Sequence, residues 1–172
     1  MSKKTYDLGH LKIHEFSKSS ILFESLYKNT INDLLSGVSI LPGGNSPKRY
    51  YELLFKRGIH NLEFLISDDR LVSNNNRLSN FKNITNALNI RVNNKYPISY
   101  FDEFNLNNLK VLNNKLDILK NKINLAILGI GNDSHTASLF PNQMLNFDNK
   151  QSGFVIKNSN ENLKRFTLSY NY

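Results

Sequence analysis

The chain has no cysteine, which excludes a disulfide framework and thiolate chemistry and fits a reducing compartment. No apolar run approaches the length of a membrane span. The opening MSKKTYDLGHLKIHEF is positively charged without an apolar segment, so no secretion signal is expected. There is no internal repeat, and Asn74-Asn75-Asn76 and the Asn-rich run from Asn105 to Asn114 are too short for low-complexity linkers. Acids are scarce: 14 against 22 Lys and Arg, for a net charge of +8 over 172 residues. That excess points to an anionic partner. The cations are scattered along the chain and form no dense block or aromatic-interleaved stripe, so nucleic acid is not expected. A phosphorylated small molecule needs only a few well-placed cations. What is present, 40% hydrophobic residues, suffices for one domain spanning residues 1–172. A soluble, cytoplasmic protein with no membrane partner is the expectation. Oligomeric state is not legible.

The chemistry-bearing stretch is Ile123 to Pro141, INLAILGIGNDSHTASLFP. Its apolar run, Leu125-Ala126-Ile127-Leu128, ends at Gly129-Ile130-Gly131 and predicts a central strand buried on both faces, as in a parallel sheet. Active groups of open α/β sheets collect beyond the carboxyl ends of such strands, and there Asp133 and His135 follow two residues apart. Asp133 can orient the imidazole and set its tautomer, and imidazole is suited to proton transfer near neutral pH. Thr136 to Phe140 reads as a short helical segment. No G-x-S-x-G elbow surrounds Ser138, so a serine nucleophile is not expected. His10, His14 and His60 lie outside any motif and are expected at the surface or at edges.

Leu11 to Phe16 alternates and predicts a peripheral strand. Ser19 or Ser20 then caps a helix that Gly37 stops. Val38 to Leu41 is a short buried strand running into Pro42-Gly43-Gly44-Asn45-Ser46-Pro47 and the helical KRYYELLFKRG. Two glycines allow close backbone approach, Ser46 suits an N-cap and Pro47 the first helical position. Free amides at a helix start make an anion site. A strand-to-helix turn that binds nothing has the same pattern, and the residues alone leave both readings open.

Leu62 to Ile66 predicts another strand, ending in Ser67-Asp68-Asp69-Arg70. Taken alone, the acid pair beside an arginine reads as a surface turn with a local ion pair. No further ligands cluster near these carboxylates, so no metal is expected. Ser79 reads as a helix cap. Asn93 to Ser99 reads as a loop, Glu103 to Lys120 as a helix or two, the segment after Pro141 as a polar loop, and Gly153 to Lys157 as a strand; a strand at Lys164 to Leu168 is implied only by the resemblance of Arg165-Phe166-Thr167-Leu168 to a family pattern.

LGIGNDSHTASLFP resembles the signature of the 6-phosphogluconolactonase family, L-G-x-G-x-D-G-H-T-A-S-L-F-P, with Ser134 in place of a glycine that lets the turn take unusual backbone angles. The family's G-G-S-T-P loop is similar to Gly43-Gly44-Asn45-Ser46-Pro47, its D-E-R-x-V to Asp68-Asp69-Arg70-Leu71-Val72, its S-N pair to Ser79-Asn80, and its R-x-T-L to Arg165-Phe166-Thr167-Leu168. The resemblance implies a three-layer α/β sandwich with a mainly parallel, Rossmann-like sheet, lacking the family's usual C-terminal segment and the basic residue it carries. It implies hydrolysis of a phosphosugar lactone without metal or organic cofactor: His135 as base on water, Asp133 behind it, Arg70 on the developing charge. Gly43, Gly44, Asn45, Ser46, Asp68 and Arg165 would hold the substrate, the loop and Arg165 taking its phosphate. Two other classes stay in view. Aminosugar-phosphate deaminase/isomerases share the fold, loop and a D-G-H motif but continue it as I-A-F-N-E-P, against Thr136-Ala137-Ser138-Leu139-Phe140-Pro141 here. A non-catalytic phosphosugar-binding or decayed relative would bind 6-phosphogluconate without hydrolysing the lactone.

Overall fold

The structure, a computed structural model, describes residues 3–90, 96–141, 150–157 and 162–172. The expected polar loop at 142–149 and the first part of the expected loop at 93–95 lie outside the described residues.

β1 (Lys3–Asp7) and β2 (Lys12–Phe16) form an antiparallel hairpin with Lys3 opposite Phe16 and Asp7 opposite Lys12. Both strands are exposed almost throughout. The alternation in β2 predicted a peripheral strand; KKTYD carries no apolar alternation, so β1 gave no signal. α1 (Ser19–Ser36) starts from Lys18 with no side-chain cap. The expected cap is therefore corrected, and the Ser19 hydroxyl accepts instead from Arg49 Nη1 at 3.1 Å. Gly37 does follow the helix, but at φ −174° it is extended. A Cβ there would stand 2.4 Å from the amide nitrogen of the exposed Asn124 side chain, which would have to move aside.

β3 (Val38–Leu41) is buried at every position. It is the middle strand of a parallel sheet, with β4 (Glu63–Ile66) on one side and β6 (Ile123–Ala126) on the other. α2 (Lys48–Lys56) and α3 (Asn80–Leu88) pack on each other, and α1 packs on α2 and β6. Past Ser67 the chain enters β5 (Asp68–Arg70), which pairs antiparallel with β8 (Lys164–Leu168); β8 pairs in turn with β7 (Gly153–Lys157). Ser67 joins the two sheets, its amide donating to Leu41 O at 2.9 Å and its carbonyl accepting from Leu168 N at 3.0 Å. The architecture is thus α/β with the expected parallel sheet, extended by an antiparallel one.

α4 (Tyr100–Lys120) is broken at Asn108, whose φ of 72° and ψ of 168° are not helical. The Asn108 side chain accepts from the amides of Lys110 and Val111, so it caps the second half as a separate helix. The run Leu125 to Leu128, expected to be central, lies at the edge instead, in and just after β6. β6 alternates between half-buried and exposed, Leu128 is 52% exposed and Ile130 83%. β3 covers one side and, among the described residues, no strand covers the other. The core gathers Tyr50, Tyr51 and Leu54 of α2 with Phe64 to Ile66, Leu112, Leu116 and Phe166. The Tyr100 ring lies tilted against Phe166 with centroids 4.5 Å apart, and its hydroxyl donates to Ile66 O at 2.5 Å, which satisfies that buried group.

Candidate active site

Three segments, each leaving the carboxyl end of a parallel strand, line one cleft of about 180 Å3. After β3 comes the glycine loop. Gly44 has φ +85°, a conformation that favours glycine. Gly43 lies against Asn80 so closely that a Cβ would sit 2.0 Å from its side-chain carbon. The Tyr51 hydroxyl fastens the loop by donating to Pro42 O at 2.6 Å. α2 begins one residue later than expected. Pro47 occupies the cap position and Ser46 does not cap. Ser46 instead lines the cleft.

After β4 come Asp68, Asp69 and Arg70. They are a strand and not the surface turn expected from their composition, and both carboxylates are buried. Asp69 accepts from the amides of Arg70, Asn80 and Phe81 and from the Ser79 hydroxyl. Burial pushes its carboxyl up to about 6; the amides of Phe81 and Asn80 pull it back, and the charge of Asp68 pushes further. It is a fastening between β5 and α3 rather than a group that meets ligand. Ser79 caps α3 as expected, accepting from Lys82 N. Asp68 lines the cleft and accepts from Ser138 Oγ at 2.6 Å, with Arg165 Nη1 at 3.7 Å. Arg165 is 6% exposed, so its charge is answered inside the protein by Asp68. Loss of one member of a buried pair costs about 3–5 kcal/mol. Arg70 is half-buried at the cleft, its guanidinium donating to Asn80 Oδ1 at 3.0 Å.

After β6 the chain turns through Gly131 to His135. Gly131 N donates to His135 O, and Ser134 N to Gly131 O. Ser134 has φ 65°, the left-handed conformation that the glycine of the signature would accept without strain. Nδ1 of His135 is hydrogen-bonded to Asp133 Oδ1, which holds the Asp133 carboxyl below its ordinary range. Asp133 stands outside the cleft, behind the imidazole that lines it. A Cβ on Gly131 would lie 2.3 Å from the His135 ring. Thr136 to Leu139 is a tight turn closed by paired backbone hydrogen bonds, with Ala137 at φ 51°, and not a helical segment. The turn buries Ser138 against Asp68.

His135, Arg70, Gly43, Gly44, Asn45, Ser46, Asp68 and Arg165 therefore share one cleft. His10, His14 and His60 are exposed, as expected. Sequence reasoning missed three residues that shape the site: Asn80, Ser138 and Gly131. Asn80 donates to Asp68 O at 2.8 Å, holds Arg70 and packs on Gly43. Its place in a serine-asparagine pair was the one available signal.

A glycine loop after one parallel strand, an acid-arginine strand after the next and an aspartate-histidine turn after a third define an α/β protein with a site suited to a polar, anionic ligand. The chain belongs to the family described as glucosamine-6-phosphate isomerases/6-phosphogluconolactonase, whose model matches residues 26–172. It is 30% identical to a 6-phosphogluconolactonase of Thermotoga maritima over 76% of this chain and 61% of that protein. It is 33% identical to a bifunctional glucose-6-phosphate 1-dehydrogenase/6-phosphogluconolactonase of Plasmodium falciparum, over 59% of this chain and 12% of that one. The crystal structure of a Thermotoga maritima 6-phosphogluconolactonase superposes with a TM-score of 0.69 at 25% identity, over 90% of this chain and 74% of that chain. The chain thus spans less than two thirds of the length of the two curated relatives. No described helix is long and apolar enough to cross a membrane.

Proposed function

We propose that this chain, acting as a single cytoplasmic domain, hydrolyses 6-phospho-D-glucono-1,5-lactone to 6-phosphogluconate, the lactone-opening step of the oxidative pentose phosphate pathway. The observation that carries the reading is His135, backed by Asp133, facing the glycine loop and Arg70 across one cleft. A carboxylate only accepts hydrogen bonds, so Asp133 accepts from the Nδ1–H of His135, which keeps the proton on Nδ1. That leaves Nε2 of His135 as the proton acceptor.

A sugar lactone is an activated ester, so the protein has three tasks: to place a water, remove its proton, and steady the oxyanion. His135 takes the proton as the water oxygen bonds to the lactone carbonyl carbon. Asp133 holds the ring in the competent tautomer and supports its transient charge. Arg70, fixed by Asn80, meets the developing negative charge on the carbonyl oxygen. As the intermediate collapses, the ring C–O bond breaks and the imidazolium returns its proton to the leaving alkoxide. The product is an open-chain acid. Asp68 and the amides around Gly43 to Ser46, with Arg165, hold the rest of the substrate.

The test is the disappearance of freshly generated lactone, compared with its spontaneous opening and with His135→Ala. The expected loss is about 10²–10⁴-fold in kcat, the range of a general base, with the far-ultraviolet spectrum unchanged. Parental turnover by the folded variant would remove His135 from the reaction.

A further inference from the structure

The hairpin of β1 and β2 precedes residues 26–172, which the family's model matches. Among the described residues neither of its outer edges is paired with another strand, and all five residues of β1 are exposed. Tyr6, Leu8, Leu11 and Ile13 are exposed as well, with Tyr6 directly opposite Ile13. A two-stranded hairpin is marginal by itself in water, and stability comes with further strands. An open edge offers its unpaired amides and carbonyls to a strand of another chain. Which edge accepts one depends on the side chains that come to lie opposite each other.

β1 reads KKTYD and is complementary to itself. Laid antiparallel against a second copy about a two-fold axis through Thr5, it sets Lys3 opposite Asp7, Lys4 opposite Tyr6, and Thr5 opposite Thr5. The Lys3-Asp7 pair forms twice, once on each side of the axis. Each Lys4 brings its cation over a Tyr6 ring, and the two threonines make a favourable cross-strand pair. Lysines on an edge ordinarily keep a second strand away; here each meets an acid or a ring. Neither Lys3, which lies 5.7 Å over the Phe16 ring, nor Asp7, which accepts from Gly9 N at 3.0 Å, makes an ion pair with a described residue. The other edge, β2, reads KIHEF and is not complementary. Turned about His14, it sets Lys12 against Phe16, Ile13 against Glu15, and one imidazole against the other.

We infer that the outer edge of β1 is a self-association surface whose occupant is β1 of a second copy of this chain. The two hairpins then form one four-stranded antiparallel sheet in the order β2–β1–β1–β2. The same patch is used on both copies, so the contact closes at a dimer and does not propagate into a filament. A strand edge of this length covers less than the ~800 Å2 per partner of a standard interface, so the dimer is weak, with a dissociation constant on the order of 10–100 µM. No hairpin residue lines the cleft that holds His135, so association is independent of the reaction there.

The experiment is sedimentation equilibrium of the full chain from about 1 µM to about 1 mM, a range that brackets such a constant. The parent is expected to pass from monomer to dimer. Lys3→Asp places an acid against Asp7 on both sides of the axis and should weaken the dimer about tenfold or more. The double variant Lys3→Asp/Asp7→Lys should recover it, as should an equimolar mixture of the two single variants, in which unlike chains pair. A parent that stays monomeric throughout overturns the inference. So does a dimer that Lys3→Asp leaves equally tight, because it forms through another surface. Asp7 also holds Gly9, so if the reversed chains do not recover, a second variant decides. The chain has no cysteine, and Thr5→Cys puts one thiol on the axis, within the Cα separation of about 4.4–6.8 Å that a disulfide spans. Mild oxidation of Thr5→Cys to a covalent dimer, with His10→Cys at the hairpin turn left monomeric, supports the pairing. Equal cross-linking of the two, or none, overturns it.

Discussion

Ser134 carries a side chain at φ 65° in the turn that presents His135. A β-carbon in the left-handed region costs about 1–2 kcal/mol, part of which glycine would return as extra freedom in the unfolded chain. Ser134→Gly is therefore expected to raise stability by about 1 kcal/mol, read as a higher urea midpoint at unchanged slope. A lower midpoint would mean that the serine side chain does something for the turn beyond tolerating its geometry. Gly131 has the opposite constraint. Its backbone is close to the imidazole, so the position has no room for any side chain while His135 keeps its place.

At the scale of elements, the cleft depends on β5 being fastened to α3, and Asp69 makes that fastening. Its carboxyl, near 6 in the folded protein against an ordinary 3.8, is favoured in its protonated form by folding. Its contribution to stability is fully present below the unfolded value and lost as pH rises through about 6. The unfolding free energy of the parent minus that of Asp69→Asn should therefore fall by about 2–3 kcal/mol between pH 4 and pH 7, measured by urea titration at each pH. A difference flat across that range would show that the four donors offset the burial. What the residues disclosed at this scale was local. Val38 to Leu41 and Gly153 to Lys157 were legible as strands, because four or five residues of β-forming chemistry between polar breaks need no partner to be recognised; Lys164 to Leu168 was legible only through its likeness to the family's R-x-T-L strand. The nature of Asp68-Asp69-Arg70 was not legible. Whether two acids and an arginine make a surface turn or a buried strand depends on β8, which arrives late in the chain and brings Arg165 to Asp68. The apolar run at 125–128 was misplaced for a related reason: hydrophobicity marks a strand but does not say on how many sides it is covered. The glycine loop and the Asp133-His135 pair were legible because their chemistry lies within a few residues; Ser138 was not, since its partner is far away in sequence.

Across the whole molecule, order is concentrated where the site needs it. β3 is buried along its length and paired on both edges, whereas the hairpin of β1 and β2 is exposed and touches the body chiefly through α1. An isolated two-stranded hairpin is marginally stable in water. Native-state hydrogen exchange should find β3 amides opening only with global unfolding, and hairpin amides exchanging through a separate opening of far lower free energy. Equal protection of the two would make the hairpin an integral part of the cooperative fold. The seam at Ser67 joins the parallel and antiparallel sheets beside the cleft, so the glycine loop after β3 and the acid-arginine strand β5 leave the most buried part of the sheet, whereas His135 follows the edge strand β6.

The contact between Asn80 and Gly43 also bears on which sequences this site can drift through. Because a single methyl at 43 would overlap the Asn80 amide, and that amide also holds Arg70 and the Asp68 carbonyl, neither position can change by itself without disturbing three segments. Losses at the two positions would overlap instead of adding. The glycine loop and the start of α3 are thus a single heritable unit: a lineage that alters one must pass through an impaired intermediate or alter both together.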